Sequence, residues 1–140
     1  MIQRVERHVI RKSDPNWQAC HKLCSLSRKL GNCAVYLLRH HHFEKQPVLT
    51  RKELDDALKL HYISDYRAMP SAASAQRQGQ VIAKQFKAFV KATAEYYKHP
   101  EKFRGKPKLP GYKRKYRTFY VGRNGYQIQN HQHQPDFYLQ

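Results

Sequence analysis

Between Ser71 and Tyr97 the sequence holds a helical period longer and more cleanly than anywhere else in the chain. At 100° per residue Ala75, Ile82, Phe86, Phe89, Thr93, Tyr96 and Tyr97 gather on one face, and Arg77, Lys84, Lys87, Lys91 and Lys98 on the other. The apolar stripe is core on any reading. The basic stripe is either a solvated helix face or a surface for a polyanion, and five cations with only Glu95 among them favour the second.

Two other helical patterns precede this one. Asp14 offers an N-cap and Pro15 a first helical position, so a helix is expected from there. Along it Cys20, Leu23, Ser27, Leu30, Ala34, Leu37 and Leu38 share one face, and His21, Ser25, Arg28, Asn32 and Arg39 share the opposite one, with Gly31 a place to bend. Thr50 followed three residues later by Glu53 is a capping box, and Leu54, Ala57, Leu58 and Tyr62 give a short second helix its inner face. Met69 and Pro70 close the connection, and Ser71 caps the long third helix.

The ends of the chain read as β structure. "RVERHVIRK", residues 4–12, alternates with Val5 and Val9 on one side and charges between, a strand signal. Pro100, Pro107 and Pro110 end the third helix and forbid another, because proline lacks an amide donor and biases its predecessor toward extended backbone. Beyond them "YRTFYV" (116–121) and "YQIQ" (126–129) flank Asn124 and Gly125, the dipeptide that best tolerates positive φ in a hairpin. The expected fold class is α+β, with a three-helix lobe inserted between an N-terminal strand and a C-terminal hairpin.

Charge narrows the partner. The chain has 27 Lys and Arg against 10 Asp and Glu, a net +17 before any of its nine histidines is protonated. A surplus of that size implies a polyanion, and nucleic acid leads because neutralising phosphates releases condensed counterions. A membrane surface is set aside, since no apolar run approaches the roughly 18 residues of a span and no lipidation motif occurs. Met1 to Lys12 has four basic residues and no apolar core of a signal peptide, so a cytoplasmic protein is expected, nucleoid-associated if bacterial.

The cations concentrate in "KFRGKPKLPGYKRKYR", residues 102–117. Its Arg104, Lys106, Lys108, Lys113, Arg114 and Lys115 are candidate backbone contacts, together with Arg77, Lys84, Lys87 and Lys91 of the third helix. Tyr112, Tyr116 and Tyr120 are candidates for stacking on bases.

Site chemistry beyond binding has little to build on. Cys20 and Cys24 in "CHKLC" lie one helical turn apart, and a structural zinc site needs four ligands on converging segments, so neither a metal nor another cofactor is expected. None of the carboxylates sits in an apolar setting that would tune a catalytic acid. Asp55 and Asp56 point about 100° apart on their helix, and no nucleophile elbow, phosphate loop or zinc-protease motif occurs. No catalytic residue is assigned, and no small-molecule substrate is expected.

Four segments in order resemble the amino-terminal part of the TnpB/OrfB family, transposon-associated RNA-guided DNA nucleases related to type V CRISPR effectors. They are "RHVIRK" at 7–12, "CSLSRKLGNCAVYLLR" at 24–39 with an Asn near its middle, "MPSAASAQRQGQVIAKQFKAFVKA" at 69–92, and "GKPKLPGYKRK" at 105–115. The third is similar to the family's Leu-Pro-Ser helix opening and later aromatic pair, here Phe86 and Phe89, with Met69 in place of Leu. The fourth is similar to its Lys-Pro-x-x-Pro-x-Tyr-Lys segment. Together they span roughly residues 5–129.

The resemblance implies a β-rich wedge, here 1–13 and 106–140, embracing a helical recognition lobe, 14–105, that together grip a guide RNA and its heteroduplex with DNA. The family's nuclease domain and zinc ribbon lie downstream, and no residue here corresponds to their ligands. The expectation is thus a truncated or separately encoded amino-terminal module that binds RNA or DNA, is not an enzyme by itself, and associates with a nuclease domain or longer parent protein. A free-standing basic DNA-binding regulator or architectural protein is the alternative. A complete metal-dependent nuclease using Asp55, Asp56 and Asp136 is the remaining class weighed.

Overall fold

The computed structural model describes the backbone of residues 4–121, 126–131 and 134–139, and the side chains of 4–121. Its body consists of four helices: α1 (Trp17–Phe43), α2 (Arg51–His61), α3 (Ile63–Ala68) and α4 (Ala72–Lys98), followed by a single 3-10 turn at Pro100–Lys102. α1 and α4 form the main pair, and α2 and α3 pack across them.

Local signals set most of these boundaries. The Thr50 hydroxyl accepts from the Glu53 amide at 3.2 Å while the Glu53 carboxylate accepts from the Thr50 amide at 3.3 Å, so two orphan donors of α2 are satisfied reciprocally. Ser71 caps α4 by accepting from the Ser74 amide at 3.1 Å. The start of α1 differs from the expectation. The Asp14 carboxylate turns onto the Asn16 amide at 2.9 Å, which makes residues 11–16 a pair of turns and delays the helix to Trp17.

The core takes the inner face of every helix. Leu30, Ala34, Val35 and Leu38 of α1, Leu54 and Leu58 of α2, Tyr66 of α3, Met69, and Ala75, Ile82, Ala83 and Phe86 of α4 form one buried cluster. Burying a Leu, Ile or Phe side chain in full contributes about 1.5–3 kcal/mol, so these dozen side chains are what holds the bundle closed. The apolar stripe of α4 leaves the core after Phe86: Phe89 and Tyr96 are half-buried and Tyr97 is exposed. α3 was not anticipated. It forms because the Tyr66 hydroxyl donates to the Asp55 carboxylate at 2.8 Å, tying "ISDYRA" back onto α2.

The α+β expectation is corrected: the body of the chain, residues 4–121, is all-helical. Residues 4–10 carry no regular structure, and Val5 and Val9 are among the most exposed apolar side chains. Alternation alone cannot make a strand. Its amides and carbonyls need a neighbour, and among the described residues none lies beside this segment. Residues 116–121 are not a strand either, and the expected Asn124 and Gly125 turn lies outside the described residues. A terminal ribbon, β1 (Tyr126–His131) and β2 (Gln134–Leu139), pairs antiparallel, and among the described residues no strand from the N-terminal segment or from 116–121 joins it.

Candidate nucleic-acid interface

Four of the expected cations are brought together by α4 itself. Arg77, Lys84, Lys87 and Lys91 are spaced by seven, three and four residues, which sets them on one stripe over roughly 21 Å of helix. They form one wall of a groove of about 940 Å³ whose other wall is the residue 48–52 segment at the start of α2. Arg51 and Lys52 stand on that second wall, so six cations line the groove, with Val48, Leu49, Ala83 and Val90 between them and no carboxylate among the lining residues.

The state of these cations matters more than their number. Among the described residues none of the six makes an ion pair. Lys84, Lys87 and Lys91 are exposed. Arg77 alone is engaged, with its guanidinium 5.7 Å from the centre of the Tyr120 ring and a long 3.4 Å hydrogen bond to Gln80. A wall of unpaired ammonium groups rising from an apolar floor focuses positive potential into the groove.

Arg51 and Lys52 did not emerge from the sequence reading, though a signal was present. They occupy the first two positions of α2, where the helix dipole disfavours cations. A helix that begins Thr-Arg-Lys carries charge where its own stability would prefer acid.

The basic segment is placed differently. From about Leu109 to Phe119 it lies as a strap along α1, running antiparallel to it against Asn32 and Arg39 of the polar face and against Cys24 and Ser27. Arg39 donates to the Pro110 carbonyl at 3.0 Å. Asn32 clamps Lys113 from both sides, donating to its carbonyl at 2.9 Å and accepting from its amide at 3.0 Å. The Arg117 amide donates to the Cys24 carbonyl at 3.2 Å, and the Ser27 hydroxyl donates to the Thr118 carbonyl at 2.7 Å. Leu109 and Phe119 pack against the edge of the core.

Arg117 is the inner anchor of this strap. It donates to Asn32 at 3.2 Å and to the Gly111 carbonyl at 3.0 Å, and burial lowers its basicity from the ordinary guanidinium value. It crosses α1 over Gly31. A Cβ there would run into the Arg117 Cδ, and would stand 2.7 Å from its Nε and 2.6 Å from the Gln78 amide nitrogen, so only glycine leaves room for the crossing.

The remaining expected site residues separate into engaged and available groups. Lys113 is held through its backbone by Asn32, and the side chains of Lys113, Arg114 and Lys115 are exposed. Arg104 and Lys108 are exposed as well. Lys106 sits 5.5 Å over the Tyr97 ring, and the neighbouring Tyr97 hydroxyl raises its basicity. Of the stacking candidates, Tyr112 lies under the Arg39 guanidinium at 5.4 Å and Tyr120 under Arg77, whereas Tyr116 is 55 % exposed and meets only the His21 ring, edge to face at 6.0 Å.

Of the carboxylates weighed for metal chemistry, Asp55 is otherwise occupied. Asp55 accepts from Tyr66 and pairs with Lys59 at 2.9 Å, and Asp65 accepts from Cys33 at 3.5 Å. Burial, reinforced by Asp65, pushes the Cys33 thiol up to about 12. Asp56 is exposed, and the side chain of Asp136 lies outside the described residues. Among the described residues no group of three His, Cys, Asp or Glu is placed to hold a metal ion, and no helix is long and apolar enough to cross a membrane. Family models, curated proteins and solved structures yield no match to this chain.

Proposed function

We propose that the chain is a nucleic-acid-binding module of the TnpB type, holding guide RNA, RNA–DNA heteroduplex or DNA by the phosphate backbone and not catalytic on its own. The observation that carries this reading is the groove between α4 and the start of α2, where six cations without ion pairs among the described residues surround an apolar floor and no carboxylate intrudes. Phosphates are the ligand such a lining favours. Each cation that displaces condensed counterions adds to affinity irrespective of base sequence. Nothing aromatic lines the groove, so it distinguishes nucleic acids by backbone geometry, and base identity is left to pairing with a guide.

The exposed side chains of Lys113, Arg114 and Lys115 on the strap extend the same chemistry along α1. The two hydrogen bonds from Asn32 hold the Lys113 backbone in place without using its charge.

The test is purification of the chain from cells, with identification of any nucleic acid it carries, followed by binding of RNA, heteroduplex and duplex DNA at low salt. The reading expects co-purified RNA and an affinity that falls steeply as salt rises. A protein free of nucleic acid that shifts none of the three would overturn it. Binding confined to duplex DNA would favour a free-standing DNA-binding protein instead.

A further inference from the structure

We infer that the surface cluster of Trp17, His21 and Tyr116, where the strap crosses the first turns of α1, takes an unpaired nucleobase of the bound strand by stacking. The inference rests on the nucleic-acid reading above and adds a site that shares no residue with the groove.

Geometry is the first support. The Trp17 and His21 rings lie 4.7 Å apart and 12° from parallel, and Tyr116 meets His21 nearly perpendicular, at 77°. One stacked pair and one upright ring make a corner with open aromatic faces. His21 is exposed, Tyr116 is 55 % exposed and Trp17 is half-buried, so none of the three belongs to the core.

Comparison with the other aromatic groups supplies the second support. The Arg39 guanidinium lies against both Phe43 and Tyr112, Arg77 covers Tyr120, and the Lys106 ammonium lies 5.5 Å over the Tyr97 ring. The Trp17 corner is covered by the ammonium of exposed Lys12, 5.9 Å from the Trp17 ring, a group with no hydrogen bond to break among the described residues. A base stacking on that ring would displace Lys12 toward the base's own phosphate, exchanging one cation–π contact for an ion pair and a stack.

Charge around the corner suits the same ligand. Lys113, Arg114 and Lys115 precede Tyr116 with exposed side chains, and Asp14, the acidic residue nearest Trp17 in the chain, has a carboxylate oxygen turned onto the Asn16 amide.

Trp17 is the only tryptophan, so its fluorescence reports on this corner alone. The full chain is titrated at low salt with a single-stranded oligouridylate and with a phosphodiester strand of the same length that lacks bases. The proposal expects the base-bearing strand to quench Trp17 and to bind about tenfold more tightly than the abasic strand, as one stacked base does elsewhere. Tyr116→Leu and, separately, His21→Ala bring that ratio toward one, while Tyr116→Phe keeps it. A purely structural cluster would leave the ratio unmoved by any of these changes. Equal binding of the two strands, or tight binding of the base-bearing strand without quenching, overturns the proposal and leaves the groove reading standing. Failure of both strands and of duplex to bind overturns the nucleic-acid reading itself.

Discussion

The groove and the strap are both basic, and their cations stand in opposite conditions. In the groove, Lys84, Lys87 and Lys91 project from a helix whose backbone is already satisfied, and among the described residues none of them makes an ion pair. On the strap the backbone has no regular partner, and the protein supplies one from Asn32, Arg39, Ser27 and the Cys24 carbonyl, with Arg117 drawn inward as an anchor. The contrast teaches that a basic residue's role follows from how its backbone is satisfied. Where the main chain closes its own hydrogen bonds, side chains remain for function; where it does not, some of them must become structure.

The change expected to separate the two regions most strongly is Gly31→Ala. The new methyl group collides with Arg117, lifting the strap from α1, and stability should fall by about 1–3 kcal/mol as for other overpacked sites. Denaturant unfolding measures this, and unchanged stability would mean that Arg117 has another route across α1. Binding in the groove should be much less affected than the midpoint of unfolding.

Thr50→Ala acts on the other region. It removes the capping box at the groove's rim and should cost about 1 kcal/mol, read in the same unfolding experiment, while leaving the strap in place.

A smaller effect is expected from pH. Folding holds the Cys33 thiol protonated up to about 12, against an ordinary value near 9.0, so the folded state binds the proton more tightly than the unfolded one. The contribution is complete below about 9.0 and declines as pH rises toward 12. The decline should be shallower in Cys33→Ala, measured as the pH dependence of the unfolding midpoint over that range.

The smallest effect on stability is expected where charge is available and the backbone does the holding. Replacing Lys113, Arg114 and Lys115 together by Ala should leave the melting temperature nearly unchanged while weakening RNA binding and flattening its salt dependence. A large drop in melting temperature would show that these side chains, like Arg117, are structural.

What could be read from the sequence was local. The Thr50 and Glu53 box and the Ser71 cap are short-range hydrogen bonds between neighbours, and they stand as expected. The α4 stripe was legible because one helix sets the spacing of Arg77, Lys84, Lys87 and Lys91. Long-range partners were not legible. Val5 and Val9 alternate like a strand, yet alternation cannot supply a neighbouring strand. Asn32 and Arg39 read only as members of the face opposite the apolar stripe, because a polar side chain facing water and one facing an unsatisfied backbone have the same periodicity. The contact of His21 with Tyr116 joins residues nearly a hundred positions apart, and no local pattern announces it.

The central claim is that free cations on α4 bind phosphates. It is tested most directly by the salt dependence of affinity for single-stranded RNA, compared between the wild type and the combined Lys84→Ala, Lys87→Ala, Lys91→Ala variant. Each phosphate-neutralising cation contributes about 0.7 to the log–log slope on single strands, so the variant's slope should be smaller by roughly 2, with its melting temperature unchanged. An identical slope in the two proteins would contradict the account.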